Sequence, residues 1–506
     1  MVLTILEVSQ KQAYIFSSNK LADNVRNSAA IAFITGPEFF KYVSGDKGIY
    51  SDEENYVYAG GGHTVLQFDN MDKACAFNEA VTFQIHQDFP DIEIFTSNLE
   101  YNETLSPAKN LSLLTEKLER KKAIRRSAFH QGTFGIESID RNTLKARRIG
   151  GRSHFDFMEK EKELSKALLP EGWDVSDKFE DLVISGNGHS FISIIHIDGN
   201  GMGARVTDFY NKNDGLSWNE FRKKISSFSE GIDRDFKAAL KNTYEEIAGT
   251  FLKTEEGKKH YFPIRRIISS GDDICLACDG GIGIETAVRF MRNLHKLNNQ
   301  ADEKKYDSCA GVAIVPQKFP FFRAYEMAEG LCSSAKRFGA GLSKKDNGAS
   351  VSSIDWHIEF GEPADTIEEI RRLYKTADGR QLELRPYIVS APDDILKAEP
   401  TRQYTKFLKE IELIKHKDSY ARGKIKRIRG ALKEGKEATE YYLDSNLLDD
   451  FRTEVVMGIY KESNLENAFS GNTSDRKFFI ETADGVERSV IFDAIEIMDV
   501  FVLEKE

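Results

Sequence analysis

The stretch Phe191-Ile192-Ser193-Ile194-Ile195-His196-Ile197, followed at once by Asp198-Gly199-Asn200-Gly201-Met202-Gly203, decides the fold. The first part is apolar and rich in β-branched residues, which is typical of a buried β-strand, and the glycines that follow end the strand in a turn. Apolar residues then recur at spacings of three and four between Phe221 and Leu240, which predicts a long amphipathic helix.

A second glycine turn lies between the next two predicted strands. The strand Ile264 to Ile268 runs through Ser269-Ser270-Gly271-Asp272-Asp273 into a strand that ends near Cys278. The pattern then predicts a helix at about 284–297, a strand at 309–315, a helix at 321–337 and a strand at about 351–358. The order βαββαβ, with an extra helix and strand, indicates a ferredoxin-like sheet backed by helices.

The first hundred residues repeat this pattern. Leu3 to Val8 is a predicted strand, a predicted helix runs from about Ala13 to the pair Gly36-Pro37, and two β-rich runs within 56–68 flank Gly60-Gly61-Gly62. We therefore expect two copies of one fold, of which only the second carries acidic residues in its turns.

Composition restricts the class of protein. The chain has 506 residues, of which 40% are hydrophobic and 30% charged, and this length predicts several folding units. No apolar run approaches the ~20 residues that cross a bilayer, and no basic segment precedes the first strand, so we expect a cytoplasmic protein with no membrane contact. The net charge of −11 disfavours a dedicated nucleic-acid binder, although basic clusters at 120–126, 147–152 and 424–429 could contact phosphates or a guide RNA.

The two acidic turns together predict a metal site. In a βαββαβ sheet the first strand lies beside the hairpin, so Asp198 should meet Asp272 and Asp273. Nucleotidyl transfer uses two divalent ions held by such hard oxygen ligands, and loop glycines let backbone N–H groups approach phosphates. His196 is interpreted as a packed core histidine, with a catalytic base as the alternative.

The segment 194–358 resembles the second palm domain of the large polymerase-like subunit of type III CRISPR complexes, a family related to GGDEF diguanylate cyclases and class III nucleotide cyclases. That family carries an Asp-Gly-Asp-x-Met-Gly loop and a Gly-Gly-Asp-Asp hairpin, which stand here as residues 198–203 and 270–273. Residues 12–16, Gln-Ala-Tyr-Ile-Phe, resemble the start of the family's first palm. Asn200 and Ser270 depart from the motifs, and no histidine is followed by aspartate, so we expect the HD nuclease domain to be missing.

The resemblance implies an α+β protein with two ferredoxin-like palm (βαββαβ) domains, a helical insert and a helical C-terminal domain. The expected boundaries are 1–100 for a degenerate first palm, 101–185 for the insert, 186–360 for the catalytic palm and 361–506 for the C-terminal domain. The expected site residues are the metal ligands and catalytic acids Asp198, Asp272 and Asp273, the triphosphate contact Lys336, and the nucleotide-binding residues Gly199, Asn200, Gly201, Met202, Gly203, Ser270 and Gly271.

The implied activity is synthesis of a cyclic or linear oligonucleotide second messenger in antiviral defence. ATP or another nucleoside triphosphate would be the substrate, with two Mg²⁺ or Mn²⁺ ions as cofactors, and the first palm would hold the second nucleotide. Two alternatives stay open: a structural subunit of an RNA-guided complex, active only with guide or target RNA and CRISPR small subunits, and a cyclase that makes a cyclic mononucleotide. An enzyme that makes an oligonucleotide signal could also be a homo-oligomer. The motifs do not specify the base of the substrate, or the ring size and linkage of the product.

Overall fold

The first unit is a four-stranded antiparallel sheet in the order β2-β3-β1-β4, which is the ferredoxin-like order. Its elements are β1 (Val2–Ser9), α1 (Lys11–Ile15), α2 (Leu21–Ile34), α3 (Pro37–Ser44), α4 (Asp52–Asn55), β2 (Tyr56–Gly60), β3 (His63–Phe68), α5 (Met71–Asp88) and β4 (Glu93–Glu100). The predicted hairpin is confirmed, since Gly60 pairs with His63 across a two-residue turn.

The single helix expected between Ala13 and Gly36 is wrong, because the structure has two helices there, α1 and α2, and a third, α3, begins at Pro37. The side-chain amide of Asn27 donates to the carbonyl oxygen of Tyr14, at 2.9 Å, and so satisfies a backbone group at the end of α1. Pro37 is the first residue of α3, a position where its missing N–H costs nothing.

The structure is a computed structural model that describes residues 1–44, 48–124, 138–139, 146–147, 156–184, 190–252, 260–345, 350–360, 366–415, 421–446, 448, 451, 478–482 and 484–503. The basic residues Arg125, Arg126, Arg148 and Arg152 lie outside these ranges. The region that follows the first unit contains α6 (Pro107–Ala123), β5 (Ser138–Ile139), β6 (Ala146–Arg147), α7 (Phe157–Lys166), β7 (Trp173–Asp174) and a 3₁₀ turn (Phe179–Leu182). No helix within the described ranges is long and apolar enough to cross a membrane.

The second unit repeats the first and extends it. Its six-stranded sheet has the order β10-β11-β8-β12-β13-β14, in which β10-β11-β8-β12 reproduces the four strands of the first unit. The elements are β8 (Phe191–Gly199), α8 (Met202–Lys212), α9 (Trp218–Phe251), β9 (His260–Tyr261), β10 (Ile264–Ser270), β11 (Asp273–Asp279), α10 (Gly283–His295), β12 (Ser308–Pro316), α11 (Phe321–Lys345) and β13 (Ser352–Ile358). The expected α+β fold with two palm-like sheets is confirmed.

Helix α11 packs unusually close to the central strand β12. A Cβ atom added to Gly311 would lie 2.0 Å from the carbonyl oxygen of Ala328 and 2.3 Å from the backbone nitrogen of Cys332. Only glycine allows this approach. The helix was expected to end near residue 337 but continues through Gly339 and Gly341 to Lys345, because packing against β13 outweighs the low helix propensity of glycine.

Residues beyond 360 extend the second sheet. They form α12 (Ile367–Leu373), β14 (Tyr387–Ser390), α13 (Asp393–Ala398), α14 (Tyr404–Lys415), α15 (Arg422–Glu434), α16 (Lys436–Ser445), β15 (Phe479–Glu481), β16 (Glu487–Ser489) and α17 (Phe492–Ile497). Strand β14 pairs antiparallel with β13, and the ring of Tyr387 stacks on Trp356 with centroids 5.2 Å apart. The described part of this region is thus mostly helical, but it also supplies the edge strand of the second sheet.

Candidate active site

The structure brings together the three acidic residues that the sequence singled out. Asp198 lies near the end of the central strand β8, and Asp273, the first residue of β11, is its direct partner across the antiparallel pair. Asp272 occupies the hairpin turn, where its carbonyl oxygen accepts a hydrogen bond from the backbone N–H of Gly199 at 3.3 Å. Gly271 forms this turn with a φ of 66°, a left-handed conformation that favours glycine.

The carboxylates of this cluster repel one another. Burial, followed by the charges of Asp198 and Asp272, raises the pKa of Asp273 to about 7. Burial and the charge of Asp198 also raise the pKa of Asp272. A compact group of carboxyl groups whose simultaneous ionisation is unfavourable attracts cations. Raised carboxyl pKa values of this kind are typical of functional sites.

Lys336 supplies a cation at this point. It projects from α11, and its ammonium donates a hydrogen bond to a carboxylate oxygen of Asp198. Burial alone would lower the pKa of Lys336, but the hydrogen bond and the charge of Asp198 outweigh it and raise the pKa. The structure therefore places Lys336 at the predicted acids, in the interior of a helix rather than at its end.

Helix α11 also contributes residues that the sequence interpretation missed. Glu329 precedes Lys336 by two helical turns, and its negative charge raises the pKa values of Asp273 and His196. Tyr325, one turn earlier, packs edge-on against His196 with ring centroids 5.6 Å apart. The sequence signal that could have identified these residues is the recurrence of polar residues on one face of the predicted helix.

His196 is buried in β8, as expected of a core histidine, but it also lies beside the acids. Its Nδ1 is 3.4 Å from Oδ1 of Asp273. Burial lowers the pKa of His196, although Asp198 and Glu329 oppose this effect, so the ring is mostly neutral near pH 7.

The first unit reaches the same site from α1 and from its hairpin. The side-chain amide of Gln12 donates to Glu329 at 3.1 Å, and the Lys11 ammonium donates to the carbonyl oxygen of Gly61. The charge of Lys11 opposes the pKa rise of both Asp272 and Asp273. The two hairpin turns meet, since a Cβ atom added to Gly271 would lie 3.7 Å from the backbone nitrogen of Gly61.

The predicted nucleotide-binding loop surrounds the acids. Gly199 ends β8, Gly201 caps α8 with a φ of 64°, and Met202 and Gly203 begin that helix. The amide of Asn200 donates to the carbonyl oxygen of Val351 at 2.9 Å, so this side chain anchors the loop to the sheet. Ser270 ends β10 as the pairing partner of Asp273. The site therefore contains a glycine turn, a helix N-terminus and two lysines around three acids.

The acids fit part of a metal-binding site. Over the described ranges, no three His, Cys, Asp or Glu side chains form a complete metal-ligand cluster. However, Oδ1 of Asp273 and Nδ1 of His196 are both buried without a hydrogen-bond partner, which is costly unless another group completes the site. Mg²⁺ commonly uses only one or two carboxylates and takes its other ligands from phosphates and water. The residues present are thus suited to a cation that arrives with a phosphate ligand.

These observations define a class: a protein with two palm-like units, in which one unit carries an acidic cluster that faces the other unit. Solved structures with this fold exist. The chain is similar to "Csm1 in T.onnurineus", with a TM-score of 0.53 and 16% identity over 99% of this chain and 70% of that chain. It is similar to an apo Csm1-Csm4 cassette, with a TM-score of 0.52 and 14% identity over 98% of this chain and 69% of the other.

A Csm1-Csm4 cassette in complex with pppApApA gives a TM-score of 0.51 at 14% identity, over 99% of this chain and 69% of that chain. For the Csm1-Csm4 cassette in complex with pppApA, the TM-score is 0.45 at 14% identity, and 67% of this chain is covered. The chain spans about half of that neighbour's length, 53%. No protein-family model matches the chain. No curated protein matches it either. The likeness establishes the shared fold.

Proposed function

We propose that this chain is a metal-dependent nucleotidyltransferase that joins nucleoside triphosphates, with ATP favoured, into a cyclic or linear oligonucleotide signal and releases pyrophosphate. One observation carries the proposal: Asp198, Asp272 and Asp273 converge at the end of the central strands, with Lys336 and Lys11 beside them. A similar Csm1-Csm4 cassette has been solved in complex with pppApApA, which supports a nucleotide substrate.

Two divalent ions, when bound, would activate the attacking 3′ or 2′ hydroxyl group and neutralise charge on the triphosphate. Asp198, Asp272 and Asp273 are the residues that would hold them, as either Mg²⁺ or Mn²⁺. Backbone N–H groups of Gly201, Met202 and Gly203 at the start of α8 are available to phosphate oxygens.

Lys336 has a separate role in this proposal. Its ammonium neutralises Asp198 before substrate binds. With Asp198 engaged as a metal ligand, the Lys336 ammonium would be free to contact the triphosphate, where it would offset negative charge as a point cation. Lys336→Met should therefore lower both substrate affinity and turnover, whereas Lys336→Arg should retain more of both.

The first unit completes the site by placing its hairpin turn against that of the second. Its turn contains Gly61 and Gly62 instead of acids, so it offers no carboxylate ligand. We propose that the first unit holds the acceptor nucleotide whose hydroxyl group attacks. The long helix α9 fixes this arrangement, since Ser229 donates to the carbonyl oxygen of Ala59 at 2.7 Å.

The test is product analysis by mass spectrometry with each of the four nucleoside triphosphates, Mg²⁺ or Mn²⁺, and with or without added RNA. We expect pyrophosphate and an oligonucleotide product from the wild type and neither from Asp272→Asn or Asp273→Asn. Asp208→Asn is the matched control, because Asp208 is an exposed residue whose partner is Lys304 at 3.0 Å. Turnover that is retained in both Asp272→Asn and Asp273→Asn would contradict the proposal. A cyclic mononucleotide as the sole product would favour a cyclase that makes a cyclic mononucleotide.

The second candidate is a polymerase-like subunit that works only inside an RNA-guided CRISPR effector complex, with RNA and small subunits as partners. The similar structures of Csm1 bound to Csm4 favour it. The basic cluster on α15 gives it less support, because Lys426 pairs with Asp499 and Arg429 lies 5.5 Å from the ring of Phe360. Co-purification with RNA and small subunits, together with activity only in that assembly, would establish this candidate.

A further inference from the structure

A separate cavity lies among α9, α10, α14 and residues 501–503. Its volume is about 600 Å³, within the range of pockets that hold small organic ligands, roughly 300–1,000 Å³. The wall is mostly apolar and includes Leu408, Phe501, Val502 and Leu503. None of the acids or lysines of the candidate active site lines it.

Three cations and three carboxylates from the described ranges line the cavity, and the cations lie close together in sequence. The side chains of Arg289, Arg292, His295 and Lys296 line it along one side of α10. The acidic lining residues are already engaged, since Glu285 pairs with Arg289 at 3.1 Å and Glu412 with Lys409 at 2.8 Å, while Glu246 is 3.9 Å from Arg289.

Two cations remain without such a partner. The guanidinium of Arg292 lies 5.8 Å from the ring centroid of Tyr404, and no carboxylate in the described part of the chain pairs with it. Among the described residues, the Lys296 ammonium donates only to the neutral amide oxygen of Asn293, at 2.9 Å. A partly buried arginine on an aromatic ring, at the edge of an apolar cavity, is suited to bind a carboxylate or phosphate.

We infer that this cavity is a binding site for a small amphipathic anion, with one phosphate or carboxylate group on an apolar body. The anionic group contacts Arg292 and Lys296, and the apolar body fills the space against Leu408 and Phe501. Neither feature alone would suffice, because an apolar body without charge leaves the cations unpaired and a bare phosphate leaves the apolar wall exposed.

The position of the cavity relates it to the candidate active site. Nδ1 of His295 is 2.9 Å from a carboxylate oxygen of Asp307. The carbonyl oxygen of Asp307 accepts a hydrogen bond from the backbone N–H of Asn200 at 2.7 Å. A ligand that contacts His295 is therefore only one residue away from the loop that follows Asp198.

Isothermal titration calorimetry with hexyl phosphate, in the presence of EDTA, tests the inference. We expect one site on the wild-type chain, with 1-hexanol and inorganic phosphate each binding more weakly. Arg292→Gln should weaken hexyl phosphate binding by about tenfold or more, because a charge-assisted hydrogen bond is lost. Arg120→Gln is the matched control, since Arg120 is exposed on α6 and pairs with Glu116.

Lys296→Gln gives a second variant with little risk to folding, because Lys296 is exposed, and it should also weaken binding. Absence of hexyl phosphate binding, equal binding of 1-hexanol, or unchanged affinity in both variants would overturn the inference. Asp272→Asn should retain hexyl phosphate binding, so failure of this site and failure of the proposed nucleotidyl transfer are distinguishable.

Discussion

The carboxyl group of Asp273 shows how burial in the acidic cluster affects the stability of the chain. Its pKa is raised to about 7 by burial and by the neighbouring acids. The folded chain therefore keeps a proton that the unfolded chain releases near the ordinary carboxyl pKa of about 4. Stability is lost as the pH rises from about 4 to above 7, because the carboxylate that then forms lies beside Asp198 and Asp272.

Asp273→Asn should remove this penalty. At pH 8 in EDTA we expect a higher Tm than for the wild type, and the difference should shrink as the pH is lowered towards 4. Mn²⁺ should raise the Tm of the wild type but give little change in the variant, as measured by differential scanning fluorimetry. An equal Mn²⁺ response in both proteins would contradict the assignment, and Asp208→Asn should behave as the wild type at every pH.

Sequence alone could place the three acids, because each follows or begins a strand and the order of strands determines which strands are neighbours. It could not place Glu329 or Lys11. Glu329 reaches the site only because α11 packs on the second sheet, and Lys11 only because the two units pack against each other. Such contacts depend on tertiary packing between segments far apart in sequence, which local periodicity does not report.

At the scale of elements, the close packing of α11 on β12 brings Lys336 to Asp198. The contact at Gly311 involves backbone atoms of the helix, which cannot rotate away as a side chain can. A longer separation between helix and strand would withdraw Lys336 and Glu329 together, since both project from the same helix.

Gly311→Ala should therefore affect stability and chemistry at once. Relieving the overlap requires α11 to move, and overpacking of this kind costs about 1–3 kcal/mol or more. We expect a lower Tm together with reduced turnover. Gly330→Ala on α11 is the control, because its added Cβ would be 3.8 Å from Ile367 and alanine favours the helix by roughly 0.4–1 kcal/mol. A tolerated Gly311→Ala variant would show that the helix position matters less than we infer.

The position of strand β14 leads to a prediction about where the second unit can be divided. It covers the edge of β13 and buries Trp356 against Tyr387 and Phe407. A fragment of residues 186–360 would expose both the strand edge and this ring, which favours aggregation. We expect it to elute as aggregate in size-exclusion chromatography, whereas a monodisperse fragment would identify 186–360 as an independent domain.

At the scale of the whole molecule, a buried charge network joins the second sheet to residues 493–496. The guanidinium of Arg385 is fully buried and contacts Asp493 at 2.9 Å and Glu496 at 2.7 Å. Asp493 also accepts hydrogen bonds from the backbone N–H groups of Leu384 and Arg385. Sequence periodicity could not predict this network, because it does not show that segments more than 100 residues apart share one buried site.

Arg385→Met should leave two buried carboxylates without their partner and destabilise the chain by about 3–5 kcal/mol. The measurement is urea unfolding followed by intrinsic fluorescence. In Arg337→Met, where the lost partner is the exposed Glu368 at 3.1 Å, the cost should stay within about 1 kcal/mol. Similar losses in both variants would show that the network does not support the fold.

The contact between Val502 and Gly281 has a consequence for the order of events during protein synthesis. The backbone N–H of Val502 donates to the carbonyl oxygen of Gly281 at 3.0 Å, directly before α10. A ribosome adds roughly 5–20 residues per second, so Asp273 is made on the order of ten seconds or more before Val502. The acids therefore leave the ribosome long before the segment that pairs with Gly281, and a nascent chain can form this contact only after translation has passed residue 502.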